Sequence, residues 1–306
     1  MPRAADWFVR LDAGSPGTAE PPRPEHPTGG AAPVGPRVAA VPPAPAAVLA
    51  CLVALCVLGP ALSRWPYAQI HLDARNLPPG AAHWFGTDAL GRDLFARTWV
   101  GGRISLGVGA FAAAVDLGVG AVLGTVAGLA GGAGDAVLMR AVDVLYGVPF
   151  LLVAILLLAV FGPGLPAIVL AIALVNWLGM ARLVRGQVLQ LRGRPHLVAA
   201  RALGLPPARL AARHVLPAVA GPALAWLSFN VPSAIFLEAF LSYLGLGVQP
   251  PVPSWGSMIA GGAQAFPLHP YPFVFPAAAL CATMAALYAL GDALRDRFDP
   301  RSAGRP

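Results

Sequence analysis

Three groups of polar residues stand out against a mostly apolar chain. The first lies in HLVAARALGLPPARLAARHVLP, His196 to Pro217. Its first half has helical composition and stops at Gly204, a residue suited to the left-handed conformation that ends helices. Pro206 and Pro207 follow, where proline fits the first turn of a new helix. The pattern predicts two short helices joined by a tight turn, with Arg201, Arg209 and Arg213 exposed, and such an object is a docking element. A basic loop that only orients the protein is the plainer alternative. The second group is Asp116, Asp143, Asn176, Asn230 and Glu238, set within long apolar runs. A charge at the centre of a bilayer costs roughly 2.5 to 3.5 kcal/mol on insertion scales, so each must face protein or a water-filled path. Asn176, Asn230 and Glu238 are candidates to line a substrate path, whereas Asp143 has Arg140 one turn away and reads as a local pair. The third group is Asp88, Arg92 and Asp93 in FGTDALGRD, which pair across one helical turn beside Gly86 and Gly91. A structural clasp at the outer membrane surface is the favoured reading there, ahead of direct substrate contact.

Other chemistries find no support. No two carboxylates, and no His with a carboxylate, are spaced for a proton relay or an intramembrane protease. All 21 basic residues are Arg, so the phosphate-binding loop with its Gly-Lys pair is absent and ATP cannot be bound by that route. Cys51, Cys56 and Cys281 lie in apolar runs with neither disulfide nor metal-site spacing. The net charge of +7 does not point to nucleic acid, because the Arg residues sit between apolar spans, where membrane orientation explains them.

The elements that must hold these groups are membrane helices. Of the 306 residues 57% are hydrophobic and 11% charged, with a mean hydropathy of +0.67, and a water-soluble globule of this size could not cover its surface. Residues 1–45, rich in Pro, Gly and Ala without any period, read as a disordered cytoplasmic tail. Residues 46–62 read as an uncleaved first span rather than a secretory signal, followed by an extracytoplasmic segment, 63–103. Five more apolar runs fill 104–291, which includes the loop 184–217, and a cytoplasmic tail occupies 292–306. That makes an all-α membrane protein of six transmembrane helices in contact with membrane lipid. Seven Arg and no acid fall between Arg182 and Arg213. Placing that segment inside puts both termini in the cytoplasm and sixteen of the 21 Arg on the cytoplasmic side. Gly120, Gly124 and Gly128 recur every four residues and predict a close helix-packing seam. Clustered Pro250, Pro251 and Pro253 stiffen an outer loop that either seats a partner or simply re-enters the interface, where Trp255 would anchor.

The loop resembles the one that permease subunits of ATP-binding-cassette importers insert into their ATPase partners, whose pattern is Glu-Ala-Ala, three residues, Gly, then a spaced hydrophobic-Leu-Pro. Ala199, Ala200, Gly204, Leu216 and Pro217 match, and the Glu position holds Val198. Three further strings are similar to the C-type permeases of dipeptide, oligopeptide and nickel importers: HWFGTDALGRDLFARTWVGGRISLGVG from His83, EAFLSYLGLGVQPPVPSWGSMI from Glu238, and GDALRDRFDPR from Gly291. Together the resemblance covers about residues 80 to 301. It implies a type I importer permease architecture in the cell membrane, with a cytoplasmic coupling loop that engages the ATPases through Ala199, Ala200, Arg201, Gly204, Arg209, Leu216 and Pro217. It also implies a second permease, two ATPases that bind ATP and Mg, an extracytoplasmic binding protein, no cofactor or catalysis in this chain, and peptides or similar small polar solutes as cargo. A secondary carrier or channel working without ATPases is the competing class.

Overall fold

The computed structural model describes residues 43–298, and every regular element among them is helical. Helix α1 spans Pro43–Leu62. It starts three residues before the expected Ala46 because proline suits a first turn. The remainder of the predicted tail, 1–42, lies outside the described residues, as do 299–306. Residues 292–298 continue the last helix instead of leaving it. Helix α2, Leu94–Val115, begins ten residues ahead of the apolar run assigned to it. Arg97 and Arg103 had interrupted that run, yet both are accommodated by backbone carbonyls: Arg97 Nη1 donates to Tyr67 at 3.1 Å and Arg103 Nε to Cys56 at 2.6 Å. A wide π-helical turn, Asp116–Ala121, joins α2 to α3, Val122–Ala130, without breaking the span.

Helices α4, Gly132–Tyr146, and α5, Phe150–Phe161, meet at a 76° bend beside Pro149. Helices α6, Leu165–Val175, and α7, Trp177–Leu191, form the next span. The glycine seam packs here: a Cβ on Gly120 would stand 2.7 Å from the Trp177 carbonyl oxygen, one on Gly124 would meet the carbonyl of Ala181, and one on Gly128 would stand 2.6 Å from Val188 Cβ. Rising numbers meet rising numbers, so this span runs parallel to α3. The bent pair α4–α5 must therefore carry the chain back across, and it makes six spans where five helices qualify singly.

Helix α8, Pro195–Ala202, is followed by α9, Pro207–Leu210, a second π-helical turn, Ala211–Val215, and α10, Leu216–Tyr243. The sequence predicts a short helix ending at Pro217, but the helix runs unbroken from Pro207 to Tyr243. Proline normally disrupts a helix by lacking an N–H and by crowding the carbonyl four residues back. The wide turn sits directly ahead of Pro217, where it relieves that crowding. Helix α11, Trp255–Ala265, occupies the loop expected at the outer surface, and α12, Tyr271–Phe298, closes the bundle. Trp255 is fully buried rather than interfacial, because its Nε1–H donates to the Thr98 carbonyl at 2.9 Å and its ring lies on Gly102.

Candidate functional site

The docking turn is built from backbone hydrogen bonds. Gly204 adopts φ +76°, its N–H donates to the Arg201 carbonyl at 2.9 Å, and the Leu205 N–H reaches back to Ala200 at 3.1 Å. That pair of bonds is the Schellman arrangement, which satisfies carbonyls left over at a helix end. Leu197, Leu210 and Val215 are buried against Val184 and Val188 of α7 and Val219 of α10, so the turn is seated on the bundle. Its other side is open: Ala199, Arg201, Gly204 and Arg209 are exposed, Ala200 is half-buried, and Leu216 and Pro217 are exposed on the first turn of α10. At the apex stands Leu203, 85% exposed, with Val198 at 52% beside it. These two apolar residues and the exposed Arg201 and Arg209 make the outward side of the turn mixed apolar and basic.

Inside the bundle, Asn176 lies between α6 and α7, and its Nδ2 donates to Asp116 Oδ1 at 3.4 Å. Asn230 Nδ2 donates to the other oxygen, Asp116 Oδ2. Asp116 is fully buried while the two asparagines are half-buried. Glu238 is placed elsewhere: fully buried, it accepts from Ser105 Oγ of α2 at 2.8 Å and Ser242 Oγ at 2.7 Å, and so braces α2 against α10. Asp143 pairs with Arg182 at 2.8 Å rather than with Arg140, and the Arg182 guanidinium lies 4.0 Å from the centre of the Tyr146 ring. The added cation–π contact favours that longer-range partner.

At the opposite end from the docking turn, Arg92 Nε donates to Asp88 Oδ2 at 2.7 Å, and Asp88 also accepts the backbone N–H groups of Leu90 and Arg92. Residues 86–92 form a turn, not the helical turn expected, because Gly86 and Gly91 take φ +80° and +72°. Asp93 is not paired with Arg92. It caps α2 by accepting the Ala96 N–H at 2.8 Å, and it meets His83 Nδ1 at 2.9 Å and Ser63 Oγ at 3.1 Å. Among the described residues, no three of His, Cys, Asp and Glu gather as a metal site would require.

A family model described as the binding-protein-dependent transport system inner membrane component matches residues 120–304, which carry the seam, the docking turn and four of the six spans. The chain belongs to this family. The permease is 44% identical over 254 residues to the oligopeptide transport system permease protein OppC of Bacillus subtilis, covering 83% of each chain. It is 46% identical over 255 residues to the dipeptide transport system permease protein DppC of the same species, covering 83% of this chain and 80% of that one. The glutathione transport system permease protein GsiD of Pectobacterium atrosepticum is 39% identical over 229 residues, 75% of this chain and 76% of its own. The permease is thus a multi-pass inner membrane subunit of the C-type branch.

Two features of the permease escaped the sequence reading. Leu203 looked like one more leucine in a helix, and only the position of Gly204 beside it hinted at an apex. Asp116 was visible as a buried acid, but its convergence with Asn176 and Asn230 spans separations of 60 and 114 residues.

Proposed function

We propose that this permease forms half of the translocation path of an ATP-driven importer of peptides. The observation that carries the reading is the docking turn: an exposed Leu203 and two exposed Arg on a Gly204 turn whose inner side is anchored by Leu197 and Leu210. A turn held rigidly on its own bundle and left open outward can transmit a partner's movement to the spans. The permease has no phosphate loop, so ATP and Mg bind to two partner ATPases seated on this turn. A second permease completes the path, and an extracytoplasmic binding protein delivers cargo at the end that carries Asp88, Arg92 and Asp93. Both termini face the cytoplasm. Peptide cargo is supported by the relatives, whose names specify oligopeptides, dipeptides and glutathione.

The test is reconstitution of the permease with its partners in proteoliposomes. Uptake of peptides should require the ATPases, ATP and the binding protein. Uptake that survives omission of the ATPases would instead make the protein a secondary carrier.

A further inference from the structure

Midway along three spans a buried carboxylate meets two asparagines, and one of these spans carries a π-helical turn. Asp116 opens the π-helical turn 116–121, Asn176 stands in helical conformation at the junction of α6 and α7, and Asn230 lies two residues before Pro232 within the continuous helix α10. At 1.5 Å per residue, Asn176 is about 17 Å from Leu165 and Asn230 about 20 Å from Tyr243. These depths fall near the middle of a hydrocarbon core about 30 Å thick.

Asp116 has no cationic partner among the described residues, and its bonds run to two neutral amides. A carboxylate only accepts, and an amide donates only through nitrogen. Both asparagines are therefore held with their NH2 groups inward and their Oδ1 atoms directed away from Asp116, on residues that keep part of their surface open. Trp226, one turn before Asn230, lies with its indole against Gly179, one turn after Asn176. Its Nε1–H is buried without an acceptor. The neighbourhood thus offers two oriented acceptors backed by an unpaired negative charge, with an unmet donor one turn away.

We infer that Asn176 and Asn230, set in orientation by Asp116, form a mid-membrane subsite that receives the terminal ammonium group of a transiting peptide. The ammonium presents three N–H donors and a positive charge, matching the two outward oxygens and the carboxylate behind them. Asp116 acts as a positioning residue and the asparagines make the contact. The inference rests on the peptide-import reading above.

The experiment uses the complete importer in proteoliposomes with its binding protein. It is offered a tryptic digest of casein or the same digest N-acetylated, and trapped peptides are measured by mass spectrometry. The binding protein sees the same pools in every case, so a change in the ratio of free-amino to acetylated uptake between variants reports on the permease. Asp116→Asn keeps the side-chain size but lets either amide turn over, and it should lower that ratio at least fivefold. Asn230→Ala, on a partly exposed residue, should lower it similarly and serves if Asp116→Asn fails to assemble. An unchanged ratio in an assembled variant, or equal loss of both pools, overturns the subsite. Absence of ATP-dependent peptide uptake by the wild-type importer instead overturns the import reading, and the subsite falls with it.

Discussion

The guanidinium of Arg103 donates to the carbonyl oxygen of Cys56 at 2.6 Å, the oxygen that Pro60 leaves without its helical partner. An α-helix bonds each N–H to the carbonyl four residues earlier, and Pro60 has no N–H to give. The same side chain reaches the Val57 carbonyl at 2.7 Å through Nη2. Helix α1 buries only Leu52, Cys56 and Gly59, the last against Trp99, so these bonds form a large part of its attachment to α2.

Arg103→Leu should therefore loosen α1. The Cys56 carbonyl would lose its one replacement donor, at about 1 to 3 kcal/mol for a group left unsatisfied, while the more exposed Val57 carbonyl keeps the Ala61 N–H of its own helix. Thermal unfolding of the purified permease in detergent should occur earlier, with Arg103→Lys intermediate because an ammonium lacks the fork that reaches both oxygens. An unchanged midpoint for Arg103→Leu would show that Gly59 and Trp99 hold α1 by themselves.

Asp93 offers a second test, at the start of α2. Asp93→Ala removes the helix cap and leaves His83 without its carboxylate in a site 7% exposed. Together these losses should lower stability by roughly 2 to 4 kcal/mol. Asp93→Asn keeps an oxygen for the Ala96 N–H and should retain most of it. Asp88→Ala, whose carboxylate lies nearer the surface, should cost less than Asp93→Ala in the same denaturation series, and the reverse order would contradict the assignment of Asp93 as the capping residue.

The helical spans and the Gly204 turn were legible because each rests on local rules: apolar length, proline at a first turn, glycine where φ is positive. The residues that escaped those rules are the ones answered from far along the chain. Arg97 and Arg103 looked like the edge of an outer segment, since hydropathy cannot see that Tyr67, Cys56 and Val57 supply carbonyls for them. Asp143 had a suitable neighbour in Arg140 but is taken by Arg182. Glu238 carried no nearby cation, and while Ser242 stands one helical turn on, its other serine partner, Ser105, is 133 residues away and could not be inferred from spacing. Helix α11 was missed for a different reason. The sequence WGSMIAGGAQA holds three glycines, which weaken local helix preference, while Ser254 and Ser257 form a capping box that offsets them.

Orientation is testable by labelling single cysteines from outside sealed cells. Cys51 and Cys281 are both exposed, so each must first be replaced. Ser254 is unsuitable as a reporter because it is buried in the cap of α11. Gly80→Cys and Leu268→Cys stand on exposed positions of one end and should react, while Arg194→Cys beside the docking turn should react only after permeabilisation. Reaction of Arg194→Cys in sealed cells would invert the topology.

The docking turn separates strain from contact. No heavy atom lies within 4 Å of a Cβ built on Gly204, so a side chain there meets nothing in its own chain. What Gly204→Val must pay is the φ of +76°, at about 1 to 3 kcal/mol of local strain, worse for a β-branched residue. The strain is confined to the turn, and the variant should insert and pair with the second permease while losing most ATP-driven uptake. Leu203→Asp tests contact without strain. At 85% exposure it should leave the unfolding midpoint where it was, yet weaken ATPase co-purification. Val198→Glu places an acid on a residue 52% exposed, where water solvates it, and should be tolerated. The three variants give a pattern that a purely orienting basic loop cannot reproduce, because such a loop depends on Arg201 and Arg209 and is indifferent to Leu203. Normal uptake and undiminished ATPase association in a well-expressed Leu203→Asp permease would remove the coupling role assigned to this turn.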